Sequence, residues 1–111
     1  MNQRKYILDF RNVQNYLDIH FVIRQALDFP DYYGCNWDAF WDCLTDWDAL
    51  SDMRGKTINL EIIGLDVIER KFDGTADKMI SILREYKHYI KKYGYDIELS
   101  IVRGNIRVRI E

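Results

Sequence analysis

Aspartates recur at each turn of one predicted helix, within the stretch YYGCNWDAFWDCLTDW at positions 32–47. Asp38, Asp42 and Asp46 stand at i, i+4 and i+8, so their side chains share one helix face. Carboxylates are ligands for Mg²⁺ and also partners for a cationic protein surface. These three groups are spread along about 12 Å of helix, too far apart for one ion to bind them all. The spacing therefore favours a cationic partner over a metal site.

The placement of these aspartates is unfavourable for an isolated helix. Like charges four residues apart repel each other by a few tenths of a kcal/mol per pair. Asp46 and Asp48 also lie near the predicted C-terminus of the helix, where the macrodipole disfavours negative charge. Such departures from the locally stable choice are typical of functional sites. The alternative is a solvated acidic face that tolerates the small cost.

Aromatic side chains alternate with the aspartates and divide between two helix faces. At 100° per residue, one broad arc collects a predicted core set, which comprises Trp37, Phe40, Cys43, Leu44 and Trp47. Trp41 and Thr45 fall on the border of this arc, and Trp41 lies beside Asp38 and Asp42. The predicted exposed edge therefore combines carboxylates with an aromatic ring, which is the usual composition of interface hot spots.

Composition and missing motifs argue against other classes of function. The net charge of −2 over 111 residues gives little overall attraction to nucleic acid or to an anionic membrane. The sequence has no run of about 18 apolar residues and no secretory signal pattern at its start, so we predict a cytoplasmic protein. His20 and His88 lie on different predicted helices, and the sequence lacks a Gly-rich phosphate loop, a Ser-His-Asp pattern and a CxxC pair. We therefore predict a non-enzymatic protein with no cofactor, no metal, no nucleic-acid partner and no membrane partner.

The elements that must position this helix follow from hydrophobic periodicity. Strands are predicted at 6–10 and 57–63, and helices at 15–27, 36–46 and 75–92. The tail at 96–110 alternates apolar and polar residues around Gly104-Asn105, which predicts a hairpin. The order β-α-α-β-α-β-β indicates one α/β domain over residues 1–111. We expect a mainly parallel three-stranded sheet packed by helices, with a C-terminal antiparallel edge strand and no third layer.

Three local features refine this prediction. Asn15 is a candidate N-cap, with Asp18 at the third helical position, and Pro30 ends the predicted helix at 15–27. The last helix carries an apolar stripe that is expected to be buried, formed by Met79, Leu83, Tyr86, Ile90 and Tyr93. Cys35 and Cys43 are eight residues apart around one helix, so they are not expected to form a disulfide, and a reducing compartment suits them.

The stretch DYYGCNWDAFWDCLTDW at positions 31–47 resembles the signature of the barstar family, the intracellular inhibitors of secreted bacterial ribonucleases of the barnase type. The similarity extends more weakly over about residues 5–103 and includes Pro30 and the pair Arg84-Glu85. In that family the second helix and the loop before it cover the nuclease active site, and carboxylates occupy the place of the substrate phosphate. The resemblance therefore implies an inhibitor whose partner is a basic ribonuclease of the extracellular type.

The resemblance also implies roles for individual residues. Asp42 corresponds to the aspartate that enters the phosphate site, and Asp38 to a second charged contact. Glu85 resembles a peripheral acidic contact on the last helix. The predicted partner-binding set is completed by residues of the loop and the helix, namely Tyr32, Tyr33, Trp41, Thr45, Asp46 and Trp47. The free protein is expected to be a monomer. The alternative is a barstar-fold interaction module whose basic partner is not a ribonuclease.

Overall fold

The computed structural model describes residues 3–111 and contains a four-stranded sheet, in which the strands lie side by side in chain order. The strands are β1 (Gln3–Asp9), β2 (Thr57–Ile63), β3 (Asp96–Arg103) and β4 (Ile106–Ile110). The helices are α1 (Tyr16–Leu27), α2 (Trp37–Thr45), α3 (Leu65–Lys71) and α4 (Thr75–Lys91), with a 3₁₀ turn at Asp48–Leu50. The pairs β1–β2 and β2–β3 are parallel, and β3–β4 is antiparallel. The predicted fold class and the hairpin are confirmed.

Helices cover only one face of this sheet. Alternate strand residues such as Leu8, Leu60 and Leu99 are fully buried, and they pack in one cluster with the apolar sides of the helices. The residues between them point to the other face, which no helix covers. Parallel sheets are usually covered on both faces, so an uncovered face needs polar side chains.

Ion pairs occupy the uncovered face of the sheet. Glu61 on β2 is only 7% exposed and contacts the ammonium group of Lys5 on β1 at 3.1 Å and the guanidinium group of Arg107 on β4. Arg109 and Glu98 form a further pair between β4 and β3, with 3.6 Å between their charged atoms. These pairs join all four strands across the uncovered face.

Side-chain caps fix the start of the first two helices. Asn15 accepts a hydrogen bond from the Asp18 backbone N–H, and the Asp18 carboxylate accepts from the Asn15 backbone N–H, so the predicted cap is confirmed as a capping box. At the start of α2, the Asn36 side chain accepts from the Ala39 backbone N–H at 2.8 Å. The direction in which α2 leaves the preceding loop is therefore set locally.

Three details differ from the sequence prediction. Helix α3 was not predicted, because its seven residues are too few to show a helical period and its N-cap is Gly64, which offers no side-chain signal. The segment 48–56, for which no helix or strand was predicted, contains the 3₁₀ turn and buries Ala49 and Met53. Tyr93 is 50% exposed rather than buried, because α4 ends at Lys91 and the chain turns before Gly94.

Candidate functional site

Helix α2 is anchored to the core by one side and presents its aspartates on the other. Phe40 and Leu44 are fully buried in the core cluster. Asp38, Asp42 and Asp46 are all exposed, on the side that the helical period predicts. A packed helix holds these carboxylates in fixed relative positions, so a partner meets them with little ordering cost.

Asp42 stands on the ridge between two clefts. One, of about 490 Å³, lies between α2 and the loop that precedes it, and we call it the acidic cleft; it is lined by Asp28, Asp31, Tyr32, Asp42, Asp46 and Asp48, among others. The other, of about 440 Å³, lies between α2 and α4, and we call it the interhelix groove; it is lined by Trp37, Asp38, Trp41, Asp42, Lys78, Ile82 and Glu85. Because Asp42 lines both, its carboxylate is accessible from either side.

Trp41 forms the aromatic wall of the interhelix groove. Its ring meets Tyr89 edge-on with 5.4 Å between ring centroids, and Tyr86 with 6.2 Å between centroids, so α4 covers part of it. The side chain is half-buried, in agreement with its predicted position on the border between the two arcs of α2. One surface of the indole remains available beside Asp38 and Asp42.

Negative charge at this surface is uncompensated. Among residues 3–111, no ion pair within 4.0 Å involves Asp38, Asp42, Asp46 or Glu85. The sequence between Arg24 and Arg54 contains seven aspartates and no lysine, arginine or histidine. The net charge of −2 for the whole chain therefore hides a strong local excess of negative charge.

Comparison with known proteins identifies the family of this chain. The family model described as "Barstar (barnase inhibitor)" matches residues 3–102. The chain belongs to the barstar family. It is also 34% identical over 88 residues to a Bacillus subtilis (strain 168) protein named "Putative ribonuclease inhibitor YrdF", a match that covers 79% of this chain and 90% of that protein. The resemblance noted in the sequence is confirmed, and membership of this family supports ribonuclease inhibition, not catalysis, as the general function.

Two predicted contact residues of this barstar-family chain are core residues. Tyr33 is 5% exposed and its hydroxyl group lies 2.6 Å from Nδ1 of His20. Trp47 is also 5% exposed, and its indole N–H donates to the backbone carbonyl of Leu27 at 2.8 Å. Their side chains offer a partner little surface, so we assign them a supporting role instead. They tie the loop before α2 and the residue that follows Asp46 to α1.

His20 is the buried link between α1 and this segment of the barstar-family chain. The imidazole is fully buried, and its Nε2 lies 3.2 Å from the Tyr16 hydroxyl. The ring packs at a tilt against Trp37, with 4.6 Å between ring centroids. Burial lowers the pKa of His20 to about 4 and raises the pKa of Tyr33. Both groups are therefore neutral at pH 7, and the neutral ring accepts one hydrogen bond and donates the other.

The remaining predicted contacts are accessible. Tyr32 is 83% exposed at the mouth of the acidic cleft, and Glu85 is exposed at the edge of the interhelix groove. Thr45 is half-buried, and its hydroxyl donates to the backbone carbonyl of Asp42 at 2.8 Å, which stabilises the last turn of α2. The structure thus brings Asp38, Trp41, Asp42 and Glu85 to one groove.

The predicted partner-binding set did not include three further aspartates of the acidic cleft. Asp28, Asp31 and Asp48 line the acidic cleft together with Asp42. The signal that would have found them is the 29-residue interval without a basic residue between Arg24 and Arg54. Asp31 is the one member of this group that forms an ion pair, with Arg24 at 2.9 Å.

The described residues, 3–111, contain neither a candidate metal site nor a candidate membrane-spanning helix. No group of three His, Cys, Asp or Glu side chains is arranged to hold a metal ion, and no helix has the length and apolar character needed to cross a membrane. Cys35 and Cys43 are free thiols, both half-buried.

Proposed function

We propose that this protein inhibits a ribonuclease of the barnase type by covering its active site with α2 and the loop before it. The observation that carries the proposal is the position of Asp42, an unpaired carboxylate on the ridge between two clefts. A ribonuclease active site gathers cationic side chains that bind phosphate, and a carboxylate on a rigid helix accepts the same charge-assisted hydrogen bonds. Asp42 would take the place of the substrate phosphate.

Neighbouring residues would supply the other contacts with the ribonuclease or support them from the core. Asp38 lies in the first turn of α2, where the helix dipole favours a negative charge, and supplies a second carboxylate. Trp41 and Tyr32 provide aromatic contact area on either side of Asp42. Glu85 lies on the rim, where a charge acts mainly on the rate of association. Tyr33 and Trp47 hold the segment in place from the core.

Within residues 3–111 the α2 aspartates form no ion pair, and this supports a partner that is strongly basic. The unpaired aspartates create a local field that attracts such a protein and orients it before contact. In the free inhibitor, repulsion between aspartates four residues apart costs a few tenths of a kcal/mol per pair. Binding of a cationic partner relieves this repulsion. A basic ribonuclease that is secreted by its own cell would require an inhibitor inside the cytoplasm, and we propose that compartment for this chain.

The test is a titration of ribonuclease activity against the purified inhibitor. Activity should fall to zero at one inhibitor per enzyme, and the association rate should fall as salt rises. Asp42→Ala should weaken binding by about 3–5 kcal/mol, which is roughly a hundredfold to several thousandfold in Kd, because it leaves desolvated cations of the nuclease unpaired.

Asp73→Ala is the matched control. Asp73 is exposed in the connection between α3 and α4 and has no ion pair within the described chain, so the variant loses the same charge away from α2. It should bind as the wild type does. A failure of the wild type to bind any of several barnase-type enzymes would contradict the proposed function. Equal binding by Asp42→Ala and Asp73→Ala would contradict the role of Asp42.

A further inference from the structure

A row of aromatic rings continues from the interhelix groove along α4. Trp41 meets Tyr89 with 5.4 Å between ring centroids, and Tyr89 meets Tyr93 with 5.5 Å, both nearly edge-to-face. Such pairs stabilise one another beyond the area that they bury. The row leads from the acidic edge of α2 towards the C-terminal end of α4, where half of the Tyr93 side chain is exposed.

This row ends in a third depression, which we call the tyrosine groove. It has a volume of about 580 Å³ and is lined chiefly by Thr45, Asp46, Leu50, Tyr89, Tyr93 and Tyr95. Asp46 and Trp47 line both the tyrosine groove and the acidic cleft, so the two depressions form one continuous surface around the end of α2. A partner that contacts Asp42 and Asp46 therefore reaches the tyrosine groove without a gap.

The far margin of the groove is positively charged. Arg54 lies over the ring of Tyr95, with 6.0 Å from guanidinium carbon to ring centroid, and Lys92 lies 5.8 Å from the ring centroid of Tyr89. Within residues 3–111, neither cation has a carboxylate partner within 4.0 Å. The surface therefore changes sign, from the unpaired aspartate at the end of α2 to unpaired cations at the end of α4.

Hydrogen bonds make this margin rigid. Arg54 donates through Nε to the backbone carbonyl of Tyr93 at 3.0 Å, and the Gly55 backbone N–H donates to the carbonyl of Gly94 at 3.0 Å. Gly94 has φ of +88°, and a Cβ there would lie 3.0 Å from Nε of Arg54. Only glycine lets the turn adopt this φ and approach Arg54 so closely. The groove is thus formed before any partner arrives, which lowers the cost of binding.

We propose that the tyrosine groove is a second contact region for the ribonuclease and receives a surface segment with an apolar side chain next to a carboxylate. The apolar side chain would pack between Tyr89 and Tyr93, and the carboxylate would pair with Lys92 and Arg54. This inference rests on the proposed function, because the partner is the same protein that Asp42 contacts. Because the surface changes from negative to positive charge, a partner would bind in one orientation. Among basic ribonucleases, those with an acidic residue opposite Lys92 and Arg54 would be favoured.

Tyr93→Ala and Lys92→Glu test this proposal separately from Asp42→Ala. With a ribonuclease that the wild type inhibits, Tyr93→Ala should raise Kd about tenfold through faster dissociation, because it removes an aromatic anchor. Lys92→Glu should raise Kd about tenfold at low salt and less at high salt, through slower association. Melting curves verify that each variant is folded.

Two controls match these changes away from the groove. Ile106→Ala truncates a side chain that is 64% exposed on β4, and Arg70→Glu reverses a charge on α3. Both should leave Kd within about twofold of the wild type, as surface changes outside an interface do. If Tyr93→Ala and Lys92→Glu behave like these controls while Asp42→Ala still weakens binding, the groove is not a contact and the proposed function stands.

A nucleic-acid ligand is the alternative that the test must separate. Exposed tyrosines beside cations can also stack the bases of a single strand. The probe is a fluorescent single-stranded RNA oligonucleotide, added to the inhibitor alone. If it binds, and Tyr93→Ala abolishes this binding while the affinity for the ribonuclease is unchanged, the proposal is overturned. No RNA binding together with a weakened ribonuclease complex would support it.

Discussion

His20 should remain uncharged well below the pH at which an exposed histidine gains its proton. In the folded protein its pKa is lowered from 6.5 to about 4, because the ring is fully buried between Tyr16, Tyr33 and Trp37. The unfolded chain exposes the ring and takes up the proton first as the pH falls. Folding stability from this group is therefore complete above about pH 6.5 and declines as the pH drops towards 4.

The size of the effect follows from the difference between the two pKa values. A shift of this size is worth about 3 kcal/mol in total, at about 1.4 kcal/mol per unit. Between pH 7 and pH 4.5 the protein should lose roughly 2 kcal/mol through His20 alone. Since a typical domain is stable by about 5–15 kcal/mol, such a loss is readily measurable.

The direct assay is a pH titration of the imidazole C–H resonances by NMR. His20 should keep the chemical shifts of the neutral ring down to about pH 4.5, in the range where the protein remains folded. Urea unfolding at pH 4.5, 5.5 and 7 then measures the linked loss of stability. Carboxylates also titrate in this range, so His20→Gln is the control, and its free energy of unfolding should depend less steeply on pH.

One result would refute the reasoning. If the His20 resonances titrate near pH 6.5 while the protein is folded, the ring is not held neutral by burial, and the link from α1 to Tyr33 is not as described. Equal pH dependence of unfolding in the wild type and His20→Gln would lead to the same conclusion. His20→Gln that fails to fold would leave the NMR titration as the deciding measurement.

Three further predictions concern α2 and its contacts. Leu44→Ala should lower the free energy of unfolding, measured by urea titration, by about 2–5 kcal/mol because Leu44 is fully buried. Asp42→Ala should leave the free energy of unfolding unchanged or slightly raise it, because Asp42 is exposed and its removal relieves repulsion. An unfolded Asp42→Ala variant would show that Asp42 is structural. Iodoacetamide should modify Cys35 faster than Cys43 in the native protein, as followed by mass spectrometry. The pKa of the Cys43 thiol is raised, chiefly by burial and also by the negative charges of Asp42 and Asp46. Faster reaction at Cys43 would contradict this. Tyr86→Phe should leave the thermal midpoint unchanged or raise it, because the buried Tyr86 hydroxyl has no hydrogen-bond partner in the described chain. If the substitution instead lowers the free energy of unfolding by more than about 1 kcal/mol, the hydroxyl has a partner that this reasoning lacks.

The sequence predicts α2 well because local periodicity decides which of its sides is buried. Phe40 and Leu44 are in the core and Asp38, Asp42 and Asp46 are exposed, as the 100° spacing indicates. The four strands and their parallel or antiparallel directions also follow from local patterns and from the right-handed crossover rule, but the order of the strands in the sheet was not predicted. Each of these predictions needs only a short stretch of chain.

Contacts between distant segments were not predictable in the same way. Tyr33 has its partner in α1, thirteen residues away, so its burial does not follow from the period of α2. That period did place Trp47 on the core side, but it could not predict the hydrogen bond to the carbonyl of Leu27, twenty residues away. Tyr93 appeared to continue the stripe of α4, and only the end of that helix at Lys91 exposes it. The tyrosine groove combines α2, the turn after it and the end of α4, which only the folded chain brings together.

The uncovered face of the sheet lies on the opposite side of the core from α2, and this makes it a convenient point of attachment. Asn59 and Ser100 lie on this face, in the middle of β2 and β3, among the ion pairs of Glu61 and Glu98. Cys35 and Cys43 would first be replaced by serine. A cysteine introduced at Asn59 or Ser100 would then carry a fluorophore or a surface linker without contact to the aspartates of α2. The protein could then be immobilised in one orientation, with every molecule presenting α2 to the solution.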